Sequence, residues 1–182
     1  MSNAILNKTT YTLYLSSADK ISGTNNNATY QVNFDDFLPR KYNNYKMNWC
    51  CSTAGGTYKD NTTLGYSAAK VFIDFGVTTF SFDTSTKSQS NCIGYIYRDP
   101  QGTTSTSNAL SCFFGQNAPK TINRPNQNMI TIKIYNLKSP TVLLTDTDSA
   151  SPSVATADCT SYSITMEFTP IDDRLVANEA DT

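Results

Sequence analysis

The chain has 182 residues, of which 38% are hydrophobic, 12% aromatic and only 16% charged, and its formal net charge is −1. This length and composition predict one folded domain with its own core, because the chain is too apolar to stay disordered. The near-zero net charge argues against attraction to nucleic acid through bulk charge. The sequence contains no histidine, which excludes Ser-His-Asp and Cys-His catalytic sites and every histidine-bearing zinc site.

Apolar and polar side chains alternate along most of the chain, and this period of two predicts β-strands. In chain order, about nine strands are expected, at residues 11–15, 30–34, 45–51, 70–75, 78–83, 92–98, 109–114, 130–134 and 161–169. No segment sustains a helical period of 3.6. Short helical turns are expected only within residues 37–45 and after Asp172. The frequent Thr, Tyr, Phe, Ile and Val favour strands in the same way.

The connections between these strands are long and contain Gly, Pro, Asn and Ser, which is typical of Greek-key crossovers. Eight or nine strands predict an all-β fold, a single antiparallel β-sandwich of the jelly-roll type. An immunoglobulin-like sandwich is the structural alternative, but Trp49 directly precedes the Cys pair and does not fit its Cys–Trp–Cys spacing. The domain is expected to span 1–182, with an N-terminal arm at 1–10 and an acidic C-terminal tail at 172–182.

Cysteine usage and the first residues indicate where the protein is made. The five cysteines form no CxxC motif, the sequence MSNAILNKTT lacks the apolar core of a signal peptide, and no apolar run approaches the ~20 residues of a membrane span. We therefore expect reduced thiols, synthesis inside a cell and no membrane span. Cys50 and Cys51 are neighbours in a predicted strand, so one is expected in the core and the other exposed or at an interface.

Charge is distributed unevenly along the chain. Residues 1–145 carry 13 basic and 7 acidic side chains, whereas residues 146–182 carry one basic and 8 acidic ones. Three interpretations stay open: a solvated acidic loop and tail, an acidic tail that meets a neighbouring subunit's basic flank, or a basic inner face near packaged nucleic acid.

No segment predicts a catalytic or metal site. Asp146, Asp148 and Asp158 lack the spaced Gly and bidentate Glu of an EF-hand, and Asp172 and Asp173 are adjacent, so their side chains diverge. We expect no enzyme activity, no cofactor and no metal. Stacking tyrosines could instead bind sugar, and the candidates for exposed or half-exposed positions are Tyr42, Tyr45, Tyr58, Tyr66, Tyr95 and Tyr97.

The first strands carry a more specific pattern. The segment LYLSSADKISGT (13–24) ends one strand in Ser-x-Asp-Lys and continues through Ser-Gly-Thr, and NNNATYQVNF (25–34) leads into a second alternating strand. This pattern, together with the closing FTPI (168–171), resembles single jelly-roll penton and minor capsid proteins of large icosahedral double-stranded DNA viruses and their virophage relatives.

The resemblance implies a structural protein of the virion. Five copies would form a homopentamer at each five-fold vertex, surrounded by the major capsid protein and other minor capsid proteins, after assembly in the host cytoplasm or nucleus. A minor capsid or cement protein that bridges capsomers is the alternative within the family, and a carbohydrate-binding β-sandwich is the alternative outside it. The segment 17–27 is the candidate subunit interface, with candidate residues Asp19, Lys20, Ser22, Asn25 and Asn26. A local turn around Asp19 is the structural alternative for this segment.

Overall fold

A computed structural model describes residues 9–54, 68–75, 82–83, 88–89, 91–98, 110–136 and 161–171. Its strands are β1 (Tyr11–Ser16), β2 (Ser22–Thr24), β3 (Asn27–Gln31), β4 (Asn44–Ala54), β5 (Ala68–Asp74), β6 (Phe82–Asp83), β7 (Ser88–Gln89), β8 (Cys92–Arg98), β9 (Leu110–Cys112), β10 (Lys120–Asn123), β11 (Met129–Asn136) and β12 (Ser161–Ile171). The only helical segments among these residues are one 3-10 turn, Ser17–Asp19, and one α-helical turn, α1 (Phe34–Phe37). The all-β prediction is therefore confirmed.

Ten strands form one antiparallel sheet with the order β1-β12-β4-β9-β8-β5-β11-β3-β2, and β10 also pairs with β4. The strands β6 and β7 form a separate ribbon. The longest pairing joins β12 to β4, from Ser161 opposite Ala54 to Ile171 opposite Asn44. The strands β9 and β10 both lie against the other side of β4. The sheet thus has a first half, β1-β12-β4-β9/β10, and a second half, β8-β5-β11-β3-β2.

The two halves pack face to face. In a flat sheet, β12 and β3 would lie about 30 Å apart, since six strand spacings separate them. Instead, the Tyr30 hydroxyl on β3 donates to the Tyr162 hydroxyl on β12 at 2.6 Å. The Trp49 Nε1 on β4 likewise donates to the Ile93 carbonyl oxygen on β8 at 3.2 Å. The sheet therefore folds back on itself and fits a β-sandwich.

The core is built from the alternate side chains that the sequence pattern assigns to one face. On β12, β4 and β11 these are Tyr162, Ile164, Met166 and Phe168, then Tyr45, Met47, Trp49 and Cys51, then Ile130, Ile132 and Ile134, all buried. The rings of Phe75 and Phe168 meet edge to face with centroids 6.2 Å apart and join the two halves. Cys51 is buried, as predicted for one member of this pair, and Cys50 is half-buried on the opposite face.

Several predicted boundaries were wrong. Residues 30–34 were expected to form one strand, but β3 ends at Gln31 and Phe34 begins α1. The helix begins there because the Asn33 side chain accepts a hydrogen bond from the Asp35 amide, which caps the helix start. The helical turn was expected at 37–45 and lies earlier, at Phe34–Phe37. The strands β2, β7 and β10 lie in segments expected to be connections. The prediction of a strand at 78–83 can be compared only at Phe82–Asp83, because the rest lies outside the described residues.

The aromatic packing between the halves yields a test of the core. Phe168 is fully buried and its ring contacts the rings of Phe37 and Phe75. We expect Phe168→Ala to lower the free energy of unfolding by about 3–5 kcal/mol, because it leaves a cavity between the two halves. The matched control is Phe113→Ala, at a side chain that is 74% exposed, and it should change the stability by less than about 0.5 kcal/mol. Urea denaturation measures both, and equal effects would contradict the packing described here.

Candidate functional site

The two edges of the sandwich differ. On one flank, β9 pairs with β8 at Tyr97 and Arg98 and joins the first and second halves of the sheet, while β10 pairs only with β4 among the described residues. On the other flank lie β1, which ends the first half, and β2, which ends the second. A link of five residues, Ser17 to Ile21, connects these two strands, so both lie on the same side of the molecule. We call the surface formed by residues 11–24 the open flank.

The five candidate interface residues all lie on or beside the open flank. Their exposure differs: Asp19 and Ser22 are exposed, Lys20 and Asn25 are half-buried, and Asn26 is only 8% exposed. The structure therefore brings the predicted segment to one surface but turns Asn26 toward the interior. Asp19 and Lys20 do not pair with each other in the described residues.

Side-chain hydrogen bonds hold the link between β1 and β2. Lys20 Nζ donates to the Ser17 carbonyl oxygen at 3.2 Å and to Asn25 Oδ1 at 3.0 Å. The Tyr162 amide donates to Ser17 Oγ at 3.0 Å, in the buried core. The Ile134 amide donates to the Asn26 carbonyl oxygen at 2.9 Å. The link is therefore fixed to β12 in the first half, and the turn between β2 and β3 is fixed to β11 in the second half.

The β2–β3 hairpin turns at Asn25 and Asn26, with Thr24 opposite Asn27. Gly23 has a φ of 87°, and a Cβ atom there would overlap the Asn27 carbonyl oxygen. A residue with a side chain would strain this position, so the glycine is required by the backbone. A local turn does end at Asp19, but Ser16 and not Asp19 caps it: Ser16 Oγ accepts from the Ala18 amide at 3.2 Å and begins the 3-10 turn.

A second feature is a groove on the outer face of the first half. It has a volume of about 370 Å³ and is lined by Cys50, Cys51, Ser52, Ser111, Cys112, Phe113, Phe114, Ser163 and Thr165. The register places Ser16, Ser163, Ser52 and Ser111 in one row across four strands. Tyr14 lies directly opposite Thr165, so this tyrosine borders the groove from β1. The exposed Phe113, which directly follows β9, also lines it.

Sequence reasoning missed this groove. The vicinal phenylalanines Phe113 and Phe114 were assigned to a predicted strand, yet β9 ends at Cys112 and both rings are exposed, at 74% and 44%. The available signal was the pair itself followed by Gly115, because two consecutive aromatic residues cannot both face one core. Gly115 has a φ of 82° and turns the chain at this point.

The groove contains few groups for chemistry. Burial raises the pKa of the Cys112 thiol to about 11, with a smaller contribution in the same direction from Cys50, so this thiol is protonated at neutral pH. Among the residues that the structure describes, no group of three or more His, Cys, Asp or Glu side chains could hold a metal ion. Asp146, Asp148, Asp158, Asp172 and Asp173 lie outside those residues. For binding, the groove therefore provides a concave surface that is lined by hydroxyl groups and aromatic rings.

The tyrosines expected to be exposed do not form one platform. Tyr45 is fully buried, which contradicts the prediction, and its hydroxyl donates to the Pro39 carbonyl oxygen at 2.8 Å. Tyr95 is half-buried and Tyr97 is 41% exposed, and both lie on β8. Tyr42 is half-buried against Tyr45, whereas Tyr58 and Tyr66 lie outside the described residues.

No described helix is long and apolar enough to cross a membrane. No protein-family model matches the chain, and no curated protein matches it.

Lys20 yields a test of how the link is held. We expect Lys20→Met, which keeps the apolar stem, to lower the free energy of unfolding by about 1 kcal/mol, because two hydrogen bonds are lost. Asp19→Ala is the matched control, since Asp19 is exposed and should change the stability by less than about 0.5 kcal/mol. Thermal denaturation of both variants decides this, and a larger effect at Asp19 would show that the carboxylate holds the link.

Cys112 yields a prediction for alkaline pH. A thiol of the unfolded chain ionises near 9.0, whereas the folded thiol ionises only near 11. The unfolded state therefore loses its proton first, so the stability from the protonated thiol is complete below pH 9 and is lost as the pH rises to 11. We expect the free energy of unfolding to fall across this window, and to fall less steeply in Cys112→Val. Equal slopes for the two proteins in urea titrations at several pH values would contradict the assignment.

Proposed function

We propose that the protein is a non-enzymatic structural subunit of a viral shell, and specifically its pentameric vertex component. The observation that carries the proposal is the strand order. The first strand lies beside the last, β1-β12, followed by β4 and β9/β10, and the second half runs β3-β11-β5-β8. This order, with the first strand beside the last and two antiparallel halves that pack face to face, supports a jelly roll, the fold of many capsid proteins.

The open flank supports an assembly role. Edge strands recruit other strands unless charge, proline or short length protects them. The strand β1 has the sequence YTLYLS, which contains none of these protections. Tyr14 and Ile21 on the same flank are 75% and 55% exposed. A surface of this kind is expected in a subunit that meets neighbours, and a ring closes when each subunit offers two different flanks.

The proposal distinguishes two positions that the protein could occupy in the shell. A vertex protein would contact copies of itself around the five-fold axis and the major capsid protein around its outside. A minor capsid or cement protein would bridge capsomers without a pentamer. In both cases the protein functions through the contact surfaces of a rigid sandwich, and no catalytic group is needed.

A carbohydrate-binding module is the second candidate, and the groove on the outer face favours it. Its serine and threonine hydroxyls could accept and donate hydrogen bonds to a sugar, and Phe113 could stack on an apolar sugar face. This candidate predicts a monomer that binds glycans and loses binding in Phe113→Ala.

A reconstruction of the assembled particle tests the proposal. We expect density for this chain at the five-fold vertices, with five copies in each. Chain density away from those axes would leave a shell protein but remove the vertex assignment. Absence from purified particles, together with glycan binding at micromolar concentration by a monomer, would replace the shell function with the second candidate.

A further inference from the structure

The strand β1 is an edge without the usual protection against strand pairing. Its register partners all lie on β12, from Tyr11 opposite Phe168 to Ser16 opposite Ser163, and its other side has no partner strand among the described residues. The second edge on this flank is different. The strand β2 has only three residues and contains Gly23 at a φ of 87°, outside the extended conformation of a strand, and both features limit strand pairing.

We propose that β1 pairs, antiparallel and about a two-fold axis at Leu13, with β1 of a second copy of this chain. The proposal goes beyond the shell function and does not depend on it. In this register, Thr12 lies opposite Tyr14 of the second copy, and Leu13 lies opposite its own counterpart. The paired sheets would run continuously from one copy into the other.

The chemistry of β1 favours its own copy as the partner. A strand that pairs with itself places like side chains near each other, so a charged edge strand repels its own copy. The residues from Thr9 to Ser16 carry no charge, proline or glycine. A two-fold axis perpendicular to the sheet keeps inner residues opposite inner ones, so buried Leu15 meets the half-buried Tyr11 of the second copy. The exposed Tyr14 then meets a threonine, which is a favourable cross-strand pair.

The size of the contact sets its strength. The pairing uses about seven residues a side, whereas a stable interface uses roughly 20–30 residues a side. We therefore expect a weak dimer with a dissociation constant on the order of 100 μM. At lower concentration the protein would be a monomer of 20.0 kDa. Such a contact covers the edge strand β1 at high protein concentration. At low concentration the dimer dissociates and β1 is available to other partners.

Sedimentation velocity of the full chain, from roughly 10 μM to roughly 1 mM, tests the proposal. The wild type should shift from monomer toward twice the monomer mass of 20.0 kDa. The variant Thr12→Lys/Tyr14→Lys places a lysine opposite a lysine twice in each dimer, and should weaken dimerisation at least tenfold. The matched control is Thr121→Lys/Asn123→Lys, which adds the same charge at the same spacing to exposed positions of β10 and should dimerise like the wild type.

A second measurement needs no variant. Hydrogen exchange of wild-type β1 amides should slow as the concentration rises, because their outward N–H groups become bonded in the dimer. In a Cys50→Ser background, Thr12→Cys/Tyr14→Cys should form a covalent dimer on mild oxidation, whereas either single cysteine should not.

Any one of several results would overturn the proposal. They are a monomer throughout the concentration range, a lysine variant that dimerises as well as its control, β1 exchange that is independent of concentration, and equal cross-linking by the single cysteines. A pentamer unaffected by the lysines in β1 would overturn this pairing and leave the vertex function in place. If the lysines in β1 disrupt a dimer but the chain is absent from particles, the β1 pairing would stand and the vertex function would be overturned.

Discussion

The eleven-residue antiparallel pairing of β12 with β4 is the contact on which the rest of the structure depends. It sets the register of β4 and β12. The inner faces of these two strands supply buried side chains, which include Tyr45, Trp49 and Phe168. These strands then receive β1 on one side and β9 and β10 on the other. Because side chains alternate along a strand, this single register also decides which residues face outward. The groove and the serine row follow directly from it.

The folding back of the sheet creates an asymmetry between the two flanks. The short pairing of β8 with β9 joins the two halves on one flank, whereas both halves end on the opposite flank, at β1 and β2. A barrel would have no such edge. In this molecule, topology determines that β1 is an edge strand, and the lack of charge in β1 leaves this strand without a repulsive group.

The strands of the core could be predicted from the sequence because each buries one face. Alternation located β8 at 92–98 as observed, and it located the centre of β12, β11 and β4 with ends that fell short by a few residues. The short strands β2 and β10 carry too few buried side chains to produce a pattern, since Ile122 is the only buried residue of β10. The helix at Phe34 was mistaken for a strand because its cap depends on one Asn33 side chain and not on periodicity.

The candidate site was predictable only in part. The polar segment with Asp19 and Lys20 could be singled out from its residues, but the partners of Lys20 are the Ser17 carbonyl oxygen and Asn25, and a backbone partner leaves no mark in a sequence. The groove depends on which residues of β4, β9 and β12 lie side by side, and strand pairing between distant segments is not encoded in local alternation. Tyr45 was misplaced for the same reason, because its burial is decided by its neighbours across the sheet.

The hydrogen bonds of the link between β1 and β2 have a consequence for association. Ser17 is tied to β12 and Asn26 to β11, so the residues between them are already ordered in the isolated molecule. Ordering a loop on binding costs conformational entropy for each residue that becomes fixed. Here that loss has occurred during folding, so a neighbour would meet a surface in its final shape. Contacts there should form quickly and depend little on temperature-sensitive loop rearrangement.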